Sequence, residues 1–411
     1  MPSLVERRWA PNPSAYGGWK QRAGFTYHAF VPDPVADLEI AFPASLVELM
    51  SETATALAEL HASPNLAGLE ALSRQLLRSE SIASSRIEGL DLSQRRLAKA
   101  LYDPDAADNT ARSVIGNIRA MEAAIRLGED AEAITAADIL GIHRTLMEAT
   151  NDRAYAGRIR EEQNWIGGDS NSPRNAEFIP PPEDEVPRLL TDLCEFANRD
   201  DLPAVAQAAV AHAQFETIHP FVDGNGRVGR ALIQVILRRR GLAPTFVPPI
   251  SIVLATNAKV YVAGLTDFRN ENVIEWCRLF AAALRTAANH AASLSARLAD
   301  LQDSWREAVG RPRRDSAAEK LIQILPARPI LDANVAAEIA GVSYEAARLA
   351  VLALEDADVL KPIHIGRRRN RAWEAPEVVA LLDNFEWDLG APTQSGEPRK
   401  AAPRRRQSQA R

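Results

Sequence analysis

The chain has 411 residues, which at about 150 residues per domain predicts two to three domains. Hydrophobic residues make up 46% and charged residues 25%, a globular composition with ample chain to bury a core. The net charge of −6 is uneven: Pro398–Arg411 carries six basic residues and no acid, leaving −12 on residues 1–397. That excludes a chain-wide basic coat for nucleic acid and leaves room for a local basic patch only.

Cys194 and Cys277 lie 83 positions apart with no Cys or His at metal-ligand spacing, so neither a disulfide framework nor a zinc finger is expected. The start, Met1-Pro-Ser-Leu-Val-Glu-Arg-Arg-Trp9, lacks the apolar core of a signal peptide. No run reaches the roughly 18 apolar residues of a membrane span. The expectation is a cytoplasmic protein without membrane contact.

In chain order, the first forty residues are rich in Pro, Gly and aromatics, including Pro11, Pro13, Gly17, Gly18, Pro32 and Pro34, and read as an irregular arm. From Ala44 the period turns helical, with Leu46, Leu49, Met50, Leu57 and Leu60 on one face and Thr53 as the polar interruption. A second helix is predicted over about Leu66–Glu88, stopped by Gly89. Others follow over Thr110–Leu127 and Thr135–Ala149, the latter with Thr135 and Asp138 imitating a capping box loosely. Residues 151–182, with Gly157, Gly167, Gly168 and Pro180-Pro181-Pro182, form a long connection of the kind that is functional or disordered. Helices resume over Glu183–Asn198, Ala204–Ile218, Asn225–Arg240, Asn257–Arg269 and Glu271–Leu301. Strand-like alternation is nearly absent before residue 355, which predicts an all-α body.

After a linker at Gly310–Arg314 come helices over Ala317–Leu325, Val335–Ala340 and Tyr344–Glu355, then a β-like stretch with a glycine turn over Val359–Trp373. Three helices and a hairpin are the layout of a winged helix-turn-helix. The composition beyond Ala391 is Pro/Ser/Gln/Arg-rich and reads as disordered. The predicted division is 1–108, 109–301, 315–385 and a basic tail at 387–411.

The informative segment is His219-Pro-Phe-Val-Asp-Gly-Asn-Gly-Arg-Val-Gly-Arg230. Pro220 disfavours helical geometry at His219, so the preceding helix should end there. Asn225 is placed to cap the next helix. Gly224 and Gly226 leave main-chain N–H groups open to an anion, and Arg227 and Arg230 share a face beside the positive helix end. Together these residues make a phosphate cradle. The segment Gly224-Asn-Gly-Arg-Val-Gly229 also matches the dinucleotide fingerprint, but it follows a predicted helix, and residues 224–266 contain no acid. The fingerprint needs a preceding strand and an acid about 20 residues on, so that reading is rejected.

This segment resembles the signature H-x-F-x-[DE]-G-N-G-R-x-x-R of Fic domain proteins at every specified position. Gly157–Arg160, Asn164–Gly168 and Phe178–Pro182 are similar to the family's segments before and within its target-docking flap. The resemblance covers most of residues 30–290 and implies a helical-bundle body with a short β-hairpin flap. It implies transfer of AMP from ATP to a Ser, Thr or Tyr hydroxyl of a target protein or of the chain itself. His219 would then be the general base, Asp223 would hold Mg²⁺, and Gly224, Asn225 and Gly226 would form the anion hole. Arg227 would contact the β-phosphate and Arg230 the γ-phosphate, while Phe221 packs in the core. The flap residues Glu177, Phe178 and Ile179 would hold an extended target segment by strand addition, and Trp165 could anchor that loop. Ser84-Ser-Arg-Ile-Glu88-Gly89 resembles the family's inhibitory motif, in which the glutamate takes the second motif arginine, here Arg230, away from the γ-phosphate. Ser84 and Glu88 are four apart and share a helix face.

Three readings stay open at this level. The site could transfer AMP, it could chiefly remove it, or a Fic-like body could sense nucleotide for a DNA-binding regulator. Lys361, Arg367, Arg368, Arg369, Arg371 and the tail could neutralise DNA phosphates. The helix beginning at Tyr344 offers little beyond Tyr344, Glu345 and Arg348 for base edges, and protein docking or homodimerisation fits equally.

Overall fold

The computed structural model describes residues 2–11, 18–61, 66–168, 172–363 and 371–390. An N-terminal hairpin pairs β1 (Ser3–Trp9) with β2 (Phe25–Val31), in register from Ser3 opposite Val31 to Trp9 opposite Phe25; the short α1 (Trp19–Arg22) lies in the connection. The helical body follows: α2 (Ala44–His61), α3 (Leu66–Ile87), α4 (Gln94–Tyr102), α5 (Asn109–Asp130), α6 (Ala136–Met147), α7 (Val186–Ala197), α8 (Ala204–Ile218), α9 (Asn225–Arg239), α10 (Ile250–Thr256), α11 (Ala258–Arg269) and α12 (Val273–Ala308). The C-terminal unit consists of α13 (Ala317–Ile324), β3 (Ile330–Leu331), α14 (Ala333–Ala340), α15 (Tyr344–Asp356), β4 (Lys361–Ile363), β5 (Ala372–Glu374) and α16 (Pro376–Gly390).

The irregular arm expected at the N-terminus is instead the β1–β2 hairpin. Its prolines and glycines are confined to the connection and the exit, and the strands between them are legible only as a pair, because their partner lies on the far side of that connection. Pro13 and Gly17 lie outside the described residues. The flap is also less regular than a hairpin: one isolated bridge joins Ile166 to Phe178. Helices α4, α10 and α16 were not anticipated. The capping box at Thr135 is complete, with both reciprocal bonds to Asp138.

Helix α8 is the centre of the body, buried on every face from Val205 to Ile218. Alanines at 204, 206, 208, 209, 211 and 213 let neighbouring helices approach closely, as an all-round buried helix requires. Helix α12 outruns its expected end at Leu301, and its Trp305 is buried in a cluster that joins α3 and α10 to the C-terminal unit. That unit is therefore seated on the body rather than tethered beside it. The Arg78 guanidinium of α3 donates to Ala327 O at 2.7 Å, and Gln75 donates to Pro326 O. Arg95 of α4 grips the Glu374 carboxylate of β5 with two bonds of 2.7 Å. The three helices α13–α15 carry a sheet of order β3-β5-β4. Arg367, Arg368 and Arg369 and the tail beyond Gly390 lie outside the described residues; residues 387–390, assigned to the tail, belong to α16.

Candidate active site

The loop between α8 and α9 carries the site. Helix α8 stops at Ile218, and His219 turns left-handed at φ 51° and ψ 60° ahead of Pro220. Its ring is about one-fifth exposed (19%), with Nδ1 pointing back at the last turn of α8. Burial lowers the imidazole to about 4, although Glu88 nearby opposes the shift, so the ring is neutral near pH 7.

Gly224, not Asn225, is the N-cap of α9. Its φ of 81° is a left-handed turn that disfavours residues with a Cβ, and a Cβ would also meet Leu146 Cδ2 at 2.9 Å. Asn225 does something else: its Oδ1 accepts from the Phe221 N–H and its Nδ2 donates to Phe221 O, both at 2.8 Å. The side chain thus closes the loop on itself, supplying the main chain of Phe221 with partners that so tight a turn cannot provide.

Three residues outside the motif hold this loop, none of which had been assigned a role from sequence. Arg160 donates through Nε to His219 O at 3.0 Å, and its own N–H reaches Pro220 O at 3.0 Å. Asn164 Nδ2 donates to His219 O at 3.2 Å and Phe221 O at 3.0 Å. His143, on α6, stacks on Phe221 with ring centres 3.7 Å apart. The Gly157 N–H donates to His143 Nδ1 at 3.0 Å, so Nε2 carries the proton and donates to Asp223 O at 3.1 Å. Burial holds this histidine near 4 and therefore neutral. Phe221 is fully buried, as its packing role requires.

The two arginines diverge. Arg227 donates to Ser113 Oγ at 2.9 Å and to Asp223 Oδ2 at 3.1 Å. Arg230, 1% exposed, makes three bonds to the end of α3: Nε to Ser84 Oγ at 2.9 Å, Nη2 to Ser84 O at 2.7 Å and Nη2 to Glu88 Oε1 at 2.8 Å. Burial would favour losing its proton, but Glu88, Tyr261 and Glu216 together outweigh that and raise the guanidinium above its ordinary value. A Cβ on Gly226 would fall on the Glu88 carboxylate and 2.8 Å from Arg230 Nη1. The Glu88 carboxylate therefore sits over the first turn of α9, where an anion is favoured. Gly89, at φ 79°, ends α3 as expected, with the Leu90 N–H returning to Ser85 O at 3.0 Å. Asn117 of α5 steadies α3 by donating to Ser81 O at 2.9 Å.

The flap lies beside the loop. Ile166 exchanges main-chain bonds with Phe178 and Glu177 at 2.8 Å, and Ile179 O accepts from the Phe30 N–H of β2 at 2.9 Å. The Phe178 ring sits 3.7 Å beneath the Arg269 guanidinium, and Trp165 packs edge-on against Trp9 at 5.4 Å. Trp165 thus ties the flap to the N-terminal hairpin. Glu216, on the last turn of α8, is a fourth residue without a role read from sequence. Among the described residues no group of three His, Cys, Asp or Glu side chains could hold a metal.

Residues 133–237 match the Fic/DOC family model, and residues 47–126 match that of the Fic/DOC family N-terminal region. These two stretches carry a Fic/DOC domain and the family's N-terminal region. It is 32% identical over 196 residues to protein adenylyltransferase fic-1 of Caenorhabditis elegans, covering 44% of this chain and 36% of that protein. It is 32% identical over 181 residues to a probable protein adenylyltransferase of Aquifex aeolicus, covering 42% of this chain and 52% of that protein. The chain thus spans between about a third and half of the length of these relatives. The crystal structure of a Fic family protein from Desulfovibrio desulfuricans has the same fold at a TM-score of 0.51 and 22% identity, over 82% of this chain and 97% of that one. No helix among the described residues is long and apolar enough to cross a membrane.

Proposed function

We propose that the chain is an autoinhibited protein adenylyltransferase. A target hydroxyl oxygen attacks the α-phosphorus of ATP, a new P–O bond forms, the bond to the bridging oxygen breaks, and pyrophosphate leaves. His219 takes the hydroxyl proton on Nε2, a role its neutral state suits. Gly224, Asn225 and Gly226 present main-chain N–H groups to the phosphates at the positive end of α9. Arg227 steadies the β-phosphate and Arg230 the γ-phosphate.

Asp223, half-exposed at the loop's edge, is the residue to hold Mg²⁺. One carboxylate completed by phosphate oxygens and water suits that ion, which would neutralise phosphate charge. Glu177, Phe178 and Ile179 hold an extended target segment by strand addition.

The observation that carries the autoinhibited reading is the triple bond set from Arg230 to Ser84 and Glu88. While it stands, Arg230 is withheld from the γ-phosphate, and a carboxylate covers Gly226. The test is transfer of label from α-labelled ATP to protein by wild type, Glu88→Gly and Glu88→Gly/His219→Ala. Weak labelling by wild type and strong self-labelling by Glu88→Gly are expected. The double variant should lose about 10²–10⁴-fold, the share of a general base. A silent Glu88→Gly, with ATP, other nucleotides and CDP-choline alike, sinks the reading. Loss of label from a pre-labelled protein in the same assay measures the reverse reaction.

For the C-terminal unit, residues 315–385, we read a winged helix-turn-helix used for protein docking. Arg348 is tied to Glu345 of its own helix, whereas Tyr344 and Leu349 stand 52% and 55% exposed on α15. Exposed apolar side chains of this kind suit a protein surface, including a second copy, better than base edges.

A further inference from the structure

Two polar groups with buried atoms face each other at the end of α8 without using one another. Glu216, 6% exposed, has no hydrogen-bond partner for Oε1 among the described residues, and His219 Nδ1 makes no bond of ordinary geometry, facing the Glu216 main-chain carbonyl as well as its carboxyl. Glu216 Oε2 lies 4.0 Å from that Nδ1. A carboxyl at this depth must be neutral or find a partner. Space is kept for it: a Cβ on Gly229 of α9 would lie 2.5 Å from Oε1.

The charged and titratable groups around Glu216 come from four helices: Arg230 of α9, Arg269 and Tyr261 of α11, Glu88 at the end of α3, and His212 and His219 at the C-terminal half of α8. His212 is occupied with the Tyr261 hydroxyl at 2.9 Å. Arg230 is committed to Ser84 and Glu88, and Arg269 lies over Phe178. Arg269 Nε and His212 Nδ1 also lack hydrogen-bond partners among the described residues, but it is His219 Nδ1 that lies 4.0 Å from the Glu216 carboxylate; Glu88, Arg160 and Arg269 are the charges that face His219.

We propose that Glu216 is the positioning residue of His219. Its carboxylate takes the Nδ1–H, fixes the tautomer that leaves the Nε2 lone pair free, and steadies the imidazolium once Nε2 has accepted a proton. The Nδ1 proton stays on the ring throughout, and Glu216 is not protonated by the step. Burial raises this carboxyl to about 7; Arg230 and Arg269 pull it down, and Glu88 pushes it up. Removing Glu88 from Arg230 therefore also favours the ionised form of Glu216. The same contact that withholds Arg230 keeps the orienting carboxylate toward its neutral state.

This inference rests on the transfer reading for its meaning, but its test does not. The full chain carrying Glu88→Gly, with ¹⁵N-labelled histidine, is compared with Glu216→Gln and Glu216→Ala in that background. His219 is assigned by its loss in His219→Ala, and the buried His143 and His212 signals report an intact fold. The Nδ1–H tautomer is expected in the parent. Glu216→Gln, which can still accept from Nδ1–H, should keep that tautomer but lower the pH at which His219 titrates. Glu216→Ala should lose the tautomer preference. Transfer should fall about 10–100-fold in kcat, with KM for ATP changed less than about twofold, by analogy with residues that orient a working histidine. Unchanged tautomer and titration of His219 in Glu216→Gln and Glu216→Ala would overturn the proposal. So would a loss confined to KM for ATP, which would make Glu216 a counter-charge to Arg230. If no transfer is seen in any variant, the nitrogen spectra still decide whether Glu216 orients His219.

Discussion

Arg230 and Arg348 both lie in the first turns of their helices, yet they behave as opposites. Arg230 is 1% exposed, and its partners Ser84 and Glu88 lie more than 140 residues away in the chain. Arg348 is 40% exposed and pairs with Glu345, three residues earlier on its own helix. Without water, a guanidinium must be met by donor-matched oxygen atoms at fixed positions, so its partners come from wherever the fold brings them. In water the same group takes whatever is near and is screened. The site at the α8–α9 loop is built from charge of the first kind. The exposed face of α15 is built from the second.

The comparison predicts where substitutions hurt. Phe221→Ala, at a fully buried ring stacked on His143, should cost about 3–5 kcal/mol in urea unfolding. A loss below about 1 kcal/mol would mean that the loop is not packed as described.

Glu80→Gln probes a buried charge with pH. Burial lifts this carboxyl, which accepts from the main chain and side chain of Ser251, to about 7. Because the folded form binds the proton more tightly than the unfolded chain, its contribution is present below about pH 4.5 and lost as pH rises through about 7. The Tm of Glu80→Gln relative to wild type should therefore climb from pH 5 to pH 8, and a flat difference would remove the premise. His143, lowered to about 4, and His212, lowered to about 3, act with the opposite sign, since their neutral folded forms lose stability as pH falls below about 6.5.

At the seam between the two regions, Arg95→Ala leaves the buried Glu374 carboxylate without its bidentate partner. Screening at the half-exposed Arg95 brings the expected cost to about 1 kcal/mol in urea unfolding. No change would mean that the seam is held by its apolar cluster alone. The smallest effect belongs to Arg348→Ala, for which no measurable change in Tm is expected. A clear drop would erase the contrast between the regions.

Much of the site was legible in the chain because its parts are local. His219, Asp223, Gly224, Gly226, Arg227 and Arg230 fall within twelve residues, and a Pro after His219 and glycines at 224 and 226 act through short-range sterics. The stop at Gly89 and the cap at Thr135 are likewise local. The role of Asn225 was misread because capping is the commoner use of an asparagine there, and only the tight turn at Phe221 redirects it. The N-terminal hairpin escaped notice because a strand's partner is not a local property.

What the sequence determined by itself is the helical periods, their stops and the spacing of the phosphate-cradling residues, all consequences of sterics and side-chain periodicity within a turn or two. What only the tertiary structure decided is which groups lose their water together. It brought Glu88 onto Arg230 and Gly226, His143 onto Phe221 and Glu216 to within 4.0 Å of His219. Desolvation depends on every element that packs around a group, and no window of sequence contains them all.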